Sequence, residues 1–170
     1  MTDYVIYDCP YFLMGMELTD GYVTGLDFEA DICRNVTSVH PENRIGYEKA
    51  KAYLDAFFVG EKVSNETVPV KLTGTEFQKS VWEEIAKIPY GETLTYGEIA
   101  LKIAEKTGVP RMSAQAVGGA TGRNPIPVII PCHRVMGAGG KLTGFTGGMD
   151  KKITLLKLEG HETENGVLVK

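Results

Sequence analysis

The sequence predicts an α/β lobe followed by a helical lobe, and three observations carry that reading. Short aromatic and β-branched runs, separated by turn residues, fill the first third of the chain. Two capping patterns, Thr75 with Gln78 and Thr95 with Glu98, then open stretches whose apolar residues recur at helical spacing. Between residues 124 and 135, three prolines frame a β-branched run that ends in Cys132-His133.

Residues 4–7, 12–18 and 22–28 read as strands, with Asp20-Gly21 as a hairpin turn between the last two. Pro41 opens a helical stretch in which Ala50, Tyr53, Leu54 and Phe57 share one face. Residues 65–72 supply one more candidate strand. From Thr75 a helix carries Phe77, Val81 and Ile85 on one side until Pro89-Tyr90-Gly91 breaks it. Thr95 caps a second helix bearing Ile99 and Ile103. Gly108-Val109-Pro110 then turns the chain, and Ser113 caps a third helix through about residue 121. Two short helices about a glycine-containing turn outline a helix-turn-helix, although helical domains of other function contain such pairs too. The expected division is an N-terminal α/β lobe over residues 1–73, a second domain over 74–160, and a C-terminal tail over 161–170.

A chain of 170 residues with 43% hydrophobic and 24% charged residues is ordinary globular composition. No apolar run approaches the roughly 18 residues of a membrane span. Charges at Asp3, Asp8, Glu17 and Asp20 interrupt the start where a secretory signal needs an apolar stretch. Three cysteines without a C-x-x-C pair argue against a disulfide framework or a zinc finger and point to the reducing cytoplasm. The net charge of −4 is unevenly spread. Residues 1–70 hold five Lys/Arg against twelve Asp/Glu, whereas residues 71–160 hold twelve against eight. A locally basic face therefore stays compatible with a nucleic-acid partner.

The stretch from Asn124 to Val135 carries the chemistry. Prolines 125, 127 and 131 leave few donors for a sheet ladder and predict a stiff, extended arm. That arm delivers Cys132 with His133 beside it. A thiolate is the reactive form of cysteine, and a free thiol of pKa about 8.5 is only slightly ionised at neutral pH. A neighbouring imidazole removes the proton if a carboxylate orients it. Adjacent residues on an extended arm point apart, which favours a water between the two groups. A Cys-His dipeptide alone more often describes a buried thiol beside a packed histidine.

Taken with its surroundings, the dipeptide is more specific. Ile-Pro-Cys-His-Arg-Val at residues 130–135, preceded by Gly-Arg-Asn-Pro at 122–125, resembles the active-site signature of the O6-alkylguanine-DNA alkyltransferases. The resemblance continues through Tyr90-Gly91-Glu92-Thr93-Leu94-Thr95-Tyr96 and Ala116-Val117-Gly118-Gly119-Ala120. It resumes at Gly144-Phe145-Thr146-Gly147-Gly148 and closes with Leu155-Leu156-Lys157-Leu158-Glu159-Gly160. Residues 75–160 carry it well, and residues 1–70 only by lobe order.

What the resemblance implies is an N-terminal ribonuclease-H-like α/β lobe and a C-terminal winged helix-turn-helix lobe. The recognition helix would enter the minor groove of alkylated double-stranded DNA, and the damaged guanine would be flipped into a pocket. Cys132 would attack the alkyl carbon, with His133 as its base, Glu159 as the carboxylate behind His133, and Asn124 organising the turn beneath. Tyr96 would donate to guanine N3, and Arg134 would be structural. Gln115, Ala116, Gly118, Gly119, Ala120 and Arg123 would meet the DNA. Phe145, Thr146, Val135 and Met136 would line the substrate pocket, with loop 144–148 as a lid. No cofactor is implied, because substrate and acceptor are the only reactants, and a monomer without membrane contact suffices. A thioether is not hydrolysed under physiological conditions, so each molecule would act once.

The sequence departs from the family pattern at Gln115, where many members carry an intercalating arginine, and at Phe145, where others carry tyrosine. Cys9, Cys33 and His40 match no compact zinc motif, so no metal site is expected. Three other readings remain: a non-catalytic lesion binder, in which the reactive cysteine would be replaced; a winged-helix regulator with an alkylation-sensing cysteine; and a cysteine hydrolase.

Overall fold

The computed structural model describes residues 1–170, which divide into two units. The first contains Met1–Thr73 together with Pro125–Ile129, and the second contains Gly74–Asn124 and Ile130–Lys170. Two features differ from the division expected from sequence. The proline-rich segment 125–129 belongs to the first unit, and the last ten residues are built into the second.

In the first unit, β1 (Thr2–Asp8), β2 (Leu13–Thr19) and β3 (Tyr22–Asp27) form an antiparallel sheet in the order β1-β2-β3. Asp20 and Gly21 take φ values of 52° and 86°, the paired left-handed geometry that two-residue hairpins use. The register runs from Thr2 opposite Thr19 to Asp8 opposite Leu13. A 3-10 turn at Pro41–Asn43 leads into α1 (Arg44–Phe58). The predicted stripe Ala50, Tyr53, Leu54 and Phe57 is buried, as are Met14, Met16, Leu18, Val23 and Leu26 of the sheet. Buried Asp3 fastens the helix entry, accepting hydrogen bonds from Asn43 Nδ2 at 2.9 Å and His40 N at 2.9 Å.

Residues 65–72 do not make the expected strand. Ser64 accepts from Glu66 N and starts a 3-10 turn at Asn65–Thr67. Pro69 then removes a donor, leaving only an isolated bridge between Val23 and Val70. The segment Pro125–Ile129 is pinned within this unit. Leu26 N donates to Pro125 O at 2.9 Å, Tyr53 Oη to Val128 O at 3.4 Å and Asn65 Nδ2 to Ile129 O at 2.8 Å.

The second unit begins with α2 (Glu76–Ala86), whose Thr75–Gln78 capping box is complete. The short strand β4 (Leu94–Thr95) leads into α3 (Tyr96–Thr107), which has a complete Thr95–Glu98 box and ends at Gly108 with φ 76°. After Ser113, which caps it through Ala116 N, comes α4 (Ala114–Thr121). Trp82 Nε1 donates to Ala120 O at 2.8 Å, tying α2 to α4. The strand β5 (Val135–Met136) pairs parallel with β4. Helix α5 (Met149–Leu158) and a hairpin of β6 (Thr163–Glu164) and β7 (Val167–Leu168) complete the unit. The hairpin turns on Asn165 and Gly166, with φ 50° and 74°. Leu142 N donates to Gly166 O at 2.8 Å, so residues 161–170 are an integral part of this unit rather than a tail. No helix is long and apolar enough to cross a membrane.

Candidate active site

The expected extended arm is absent, for the same reason that suggested it. Prolines cannot join a ladder, and the backbone closes on itself in tight turns instead. Ile129 N bonds to Pro127 O at 2.9 Å around Val128, whose φ of 72° gives a γ-turn that β-branched residues rarely adopt. Cys132 N bonds to Ile130 O at 2.8 Å around Pro131, at φ −80° and ψ 66°. Cys132, His133 and Arg134 then form one 3-10 turn that runs into β5.

Cys132 is buried, and burial pushes its thiol up to about 11. Opposing that push are a hydrogen bond from the Asn124 side chain, the charge of Lys152 and nearby backbone N–H groups. Asn124 Nδ2 also donates to Ile130 O at 2.7 Å, so one amide bridges the thiol and the turn that delivers it. His133 is wholly buried and bonds through Nε2 to Glu159 Oε2. Burial lowers its basicity against the opposing pull of Glu159, which leaves a neutral ring. With the proton on Nε2, Nδ1 is the basic nitrogen.

Glu159 is the hub. Its carboxylate accepts from His133, from Arg134 Nε at 2.8 and 3.0 Å, and from Gly91 N at 2.7 Å. Burial alone would raise its pKa. The His133 hydrogen bond, the neighbouring charges and the Gly91 N–H outweigh it and keep the carboxyl below its ordinary value. Arg134 Nη1 donates to Ile88 O at 2.6 Å, so this cation also fastens the segment that follows α2 to the turn.

The same unit holds a cavity of about 550 Å³ lined by Thr95, Tyr96, Gly97, Ala114, Gln115, Gly118, Ala138, Thr143 and Gly144; Cys132, His133 and Glu159 are not part of its lining. Of the residues expected to face DNA, Gln115, Ala116, Gly119 and Arg123 are exposed and Gly118 is half-buried. Ala120 is not on that face. It is buried, and its carbonyl accepts from Trp82 Nε1. Of the residues expected to line the substrate pocket, Val135 and Met136 are buried, Phe145 is half-buried and Thr146 is exposed. Met136 packs with Leu142 and Leu156 in a core cluster, and Val135 is buried in β5 with its carbonyl held by Lys152. Phe145 and Thr146 lie outside the cavity lining, and Thr146 Oγ1 donates to Gly122 O at 3.1 Å. His40 is held by Asp3 and the Cys9 thiol by Phe12 O, and no three His, Cys, Asp or Glu side chains are disposed to hold a metal ion.

Sequence reasoning missed Lys152. It is buried on α5, donates to Val135 O at 2.8 Å and Thr143 O at 3.3 Å, and burial brings its pKa down to about 8. Its spacing from Met149, Leu155 and Leu156 places it on the helix's apolar face, a signal legible in the sequence. Because its charge favours the Cys132 thiolate, Lys152→Met should slow thiol alkylation about tenfold at pH 7, the worth of about one pKa unit. The deficit should narrow above pH 8, where the parent's own lysine discharges. Alkylation rates of both proteins across pH check this, and a deficit unchanged to pH 9 would remove Lys152 from the account.

The profile described as 6-O-methylguanine DNA methyltransferase, DNA binding domain, matches residues 76–161. A methylated-DNA–protein-cysteine methyltransferase of Methanosarcina acetivorans is 55% identical over 119 residues, covering 70% of this chain and 72% of the relative. The protein of the same name from Mycolicibacterium paratuberculosis is 42% identical over 159 residues, covering 94% and 93%. Among solved structures, Mycobacterium tuberculosis OGT in complex with DNA superposes with a TM-score of 0.74 at 40% identity, covering 92% of each chain. A thiol held by an asparagine, beside a histidine backed by a buried carboxylate, thus sits in a mixed α/β chain that belongs to the 6-O-methylguanine DNA methyltransferase family.

Proposed function

We propose that the chain repairs alkylated double-stranded DNA by moving the alkyl group of O6-alkylguanine to its own Cys132, once per molecule. The observation that carries this reading is the buried Glu159, which fixes the His133 tautomer one residue from the thiol. The second unit acts as a winged helix-turn-helix reader with α4 in the groove, and the first as a ribonuclease-H-like support. The flipped base enters the cavity beside Tyr96. His133, directly or through a water, takes the thiol proton, and the thiolate displaces the purine oxygen from the alkyl carbon in line. Tyr96 protonates purine N3 as the C–O bond breaks. The protein works as a cytoplasmic monomer without a cofactor.

A duplex with one O6-methylguanine labelled in its methyl group tests the reading. The label should move to the protein and restore guanine. Label that stays in a tightly bound duplex would favour lesion binding without chemistry, and repeated turnover would favour a hydrolase.

Gln115 is exposed on α4 and lines the cavity, which supports a role in filling the gap left by the flipped base. Arginine adds charge and a broader plane that stacks on bases. Gln115→Arg should therefore tighten duplex binding by about 1 kcal/mol, with a steeper salt dependence. Affinities at two salt concentrations check it. Parent-like binding by both Gln115→Arg and Gln115→Ala would show that this residue never enters the duplex.

A further inference from the structure

Thr143 is fixed at three points, each by a different part of the residue. An ideal Cβ on Gly137 would lie 3.2 Å from the Thr143 methyl and 3.2 Å from Lys141 O, so the methyl occupies space that only glycine leaves open. Gly137 N closes the same turn on Lys141 O at 2.7 Å. The Thr143 carbonyl accepts from Lys152 Nζ, whose other bond is to Val135 O in the strand that follows the Cys132 turn. With backbone and methyl held, the β-branched side chain has a single way to turn its hydroxyl. That direction ends on Tyr96, with Thr143 Oγ1 and Tyr96 Oη 2.5 Å apart, the short end of the range for hydroxyl pairs. Both residues line the cavity. Tyr96 opens α3 directly after its Thr95 cap, so the phenol approaches from a fixed helix end.

We infer that Thr143 is the positioning residue for Tyr96, its hydroxyl holding the phenol at the cavity wall and donating to the phenol oxygen while that phenol protonates the departing purine. The inference rests on the proposed alkyl transfer and on the Tyr96 role within it. The step balances without a further reactant. The sulfur–carbon bond forms, the carbon–O6 bond breaks, and its electron pair enters the purine ring. The Tyr96 proton passes to N3, and the negative charge left on the phenol oxygen is met by the Thr143 O–H. A hydrogen bond to a charged acceptor is stronger than one to a neutral acceptor, so Thr143 contributes more as the charge develops than in the resting protein.

Single-turnover transfer from an O6-methylguanine duplex, at saturating protein, tests this with four variants. Thr143→Val keeps the shape, loses the hydroxyl and should transfer about tenfold more slowly, the scale of one charge-assisted hydrogen bond. Thr143→Ser keeps the hydroxyl and should recover most of that loss. In a Tyr96→Phe background, Thr143→Val should add no further slowing, because the hydroxyl then has no phenol to serve. The Thr143→Val deficit should also shrink on a purine bearing an electron-withdrawing substituent, whose anion needs less proton donation. A packing role would move neither the Tyr96→Phe comparison nor the leaving-group comparison. Thr143→Val at the parent rate, Thr143→Ser as slow as Thr143→Val, or an undiminished Thr143→Val effect on Tyr96→Phe would each overturn the assignment. A parent protein that leaves the methyl group on DNA would overturn the transfer reading itself, a result distinct from all of these.

Discussion

Cys132→Ala should transfer no methyl group to protein while still binding a lesion duplex close to the parent affinity. Most of the groups that would hold DNA are exposed on α4 or, as Arg123, just after it, whereas the thiol is buried within the turn at Cys132–Arg134. Removing Sγ takes away the nucleophile and leaves a small void whose lining loses some contacts, a stability cost of about 1 kcal/mol. Cys132→Ser should be nearly as inert. Its hydroxyl ionises far above the thiol, in a site that already drives the thiol up to about 11 by burial. Cys9 and Cys33 belong to the first unit and Cys132 to the second, with Asn124 and Glu159 beside it in that unit, so neither is expected to take over the reaction. Gel-shift affinity and label transfer on the same preparations check both halves. Stoichiometric transfer by Cys132→Ala would end the mechanism.

Glu159→Gln should be the most damaging change short of losing the thiol, because it strikes rate and stability together. A neutral amide no longer stabilises the imidazolium that forms as His133 takes the thiol proton, and the rate should fall about a hundredfold. The same change leaves Arg134 charged and buried, with Ile88 O as its remaining strong acceptor. Breaking a buried pair from one side costs about 3 kcal/mol. The pH dependence has a defined sign. Glu159 is held below its ordinary 4.5 when folded, so its stabilising contribution is complete above that value and is lost as pH falls through the lower folded value. The variant's stability deficit should be full at pH 7 and should close in acid. Denaturant melts at pH 7 and pH 3.5 measure it, and equal deficits at both would mean that the carboxylate charge is not what stabilises Arg134.

Where structure is decided locally, the sequence was enough. Both capping boxes, the Asp20-Gly21 hairpin and the buried stripe of α1 depend on residues within a few positions of one another. Asn165-Gly166 is a turn signal of the same kind, yet the flanking strands are two residues each and offer too short a pattern to notice. The proline run misled because removing donors excludes a ladder without choosing between an extended arm and successive tight turns. That choice falls to distant partners, namely Tyr53, Asn65 and Leu26. The site shows the same limit. Cys132 and His133 are adjacent, but Glu159 lies 26 residues beyond His133 and was placed only through the family resemblance. Thr143 and Tyr96 are 47 residues apart, and nothing in composition or spacing joins them.

Single use of Cys132 is the central claim, and intact mass measurement after incubation with a large excess of O6-methylguanine duplex tests it most directly. Every protein molecule should gain one CH2 unit and no more, peptide mapping should place it on Cys132, and repaired guanine should equal the protein added. Repair continuing beyond one lesion per molecule, or a methyl group mapped to Cys9 or Cys33, would contradict the account.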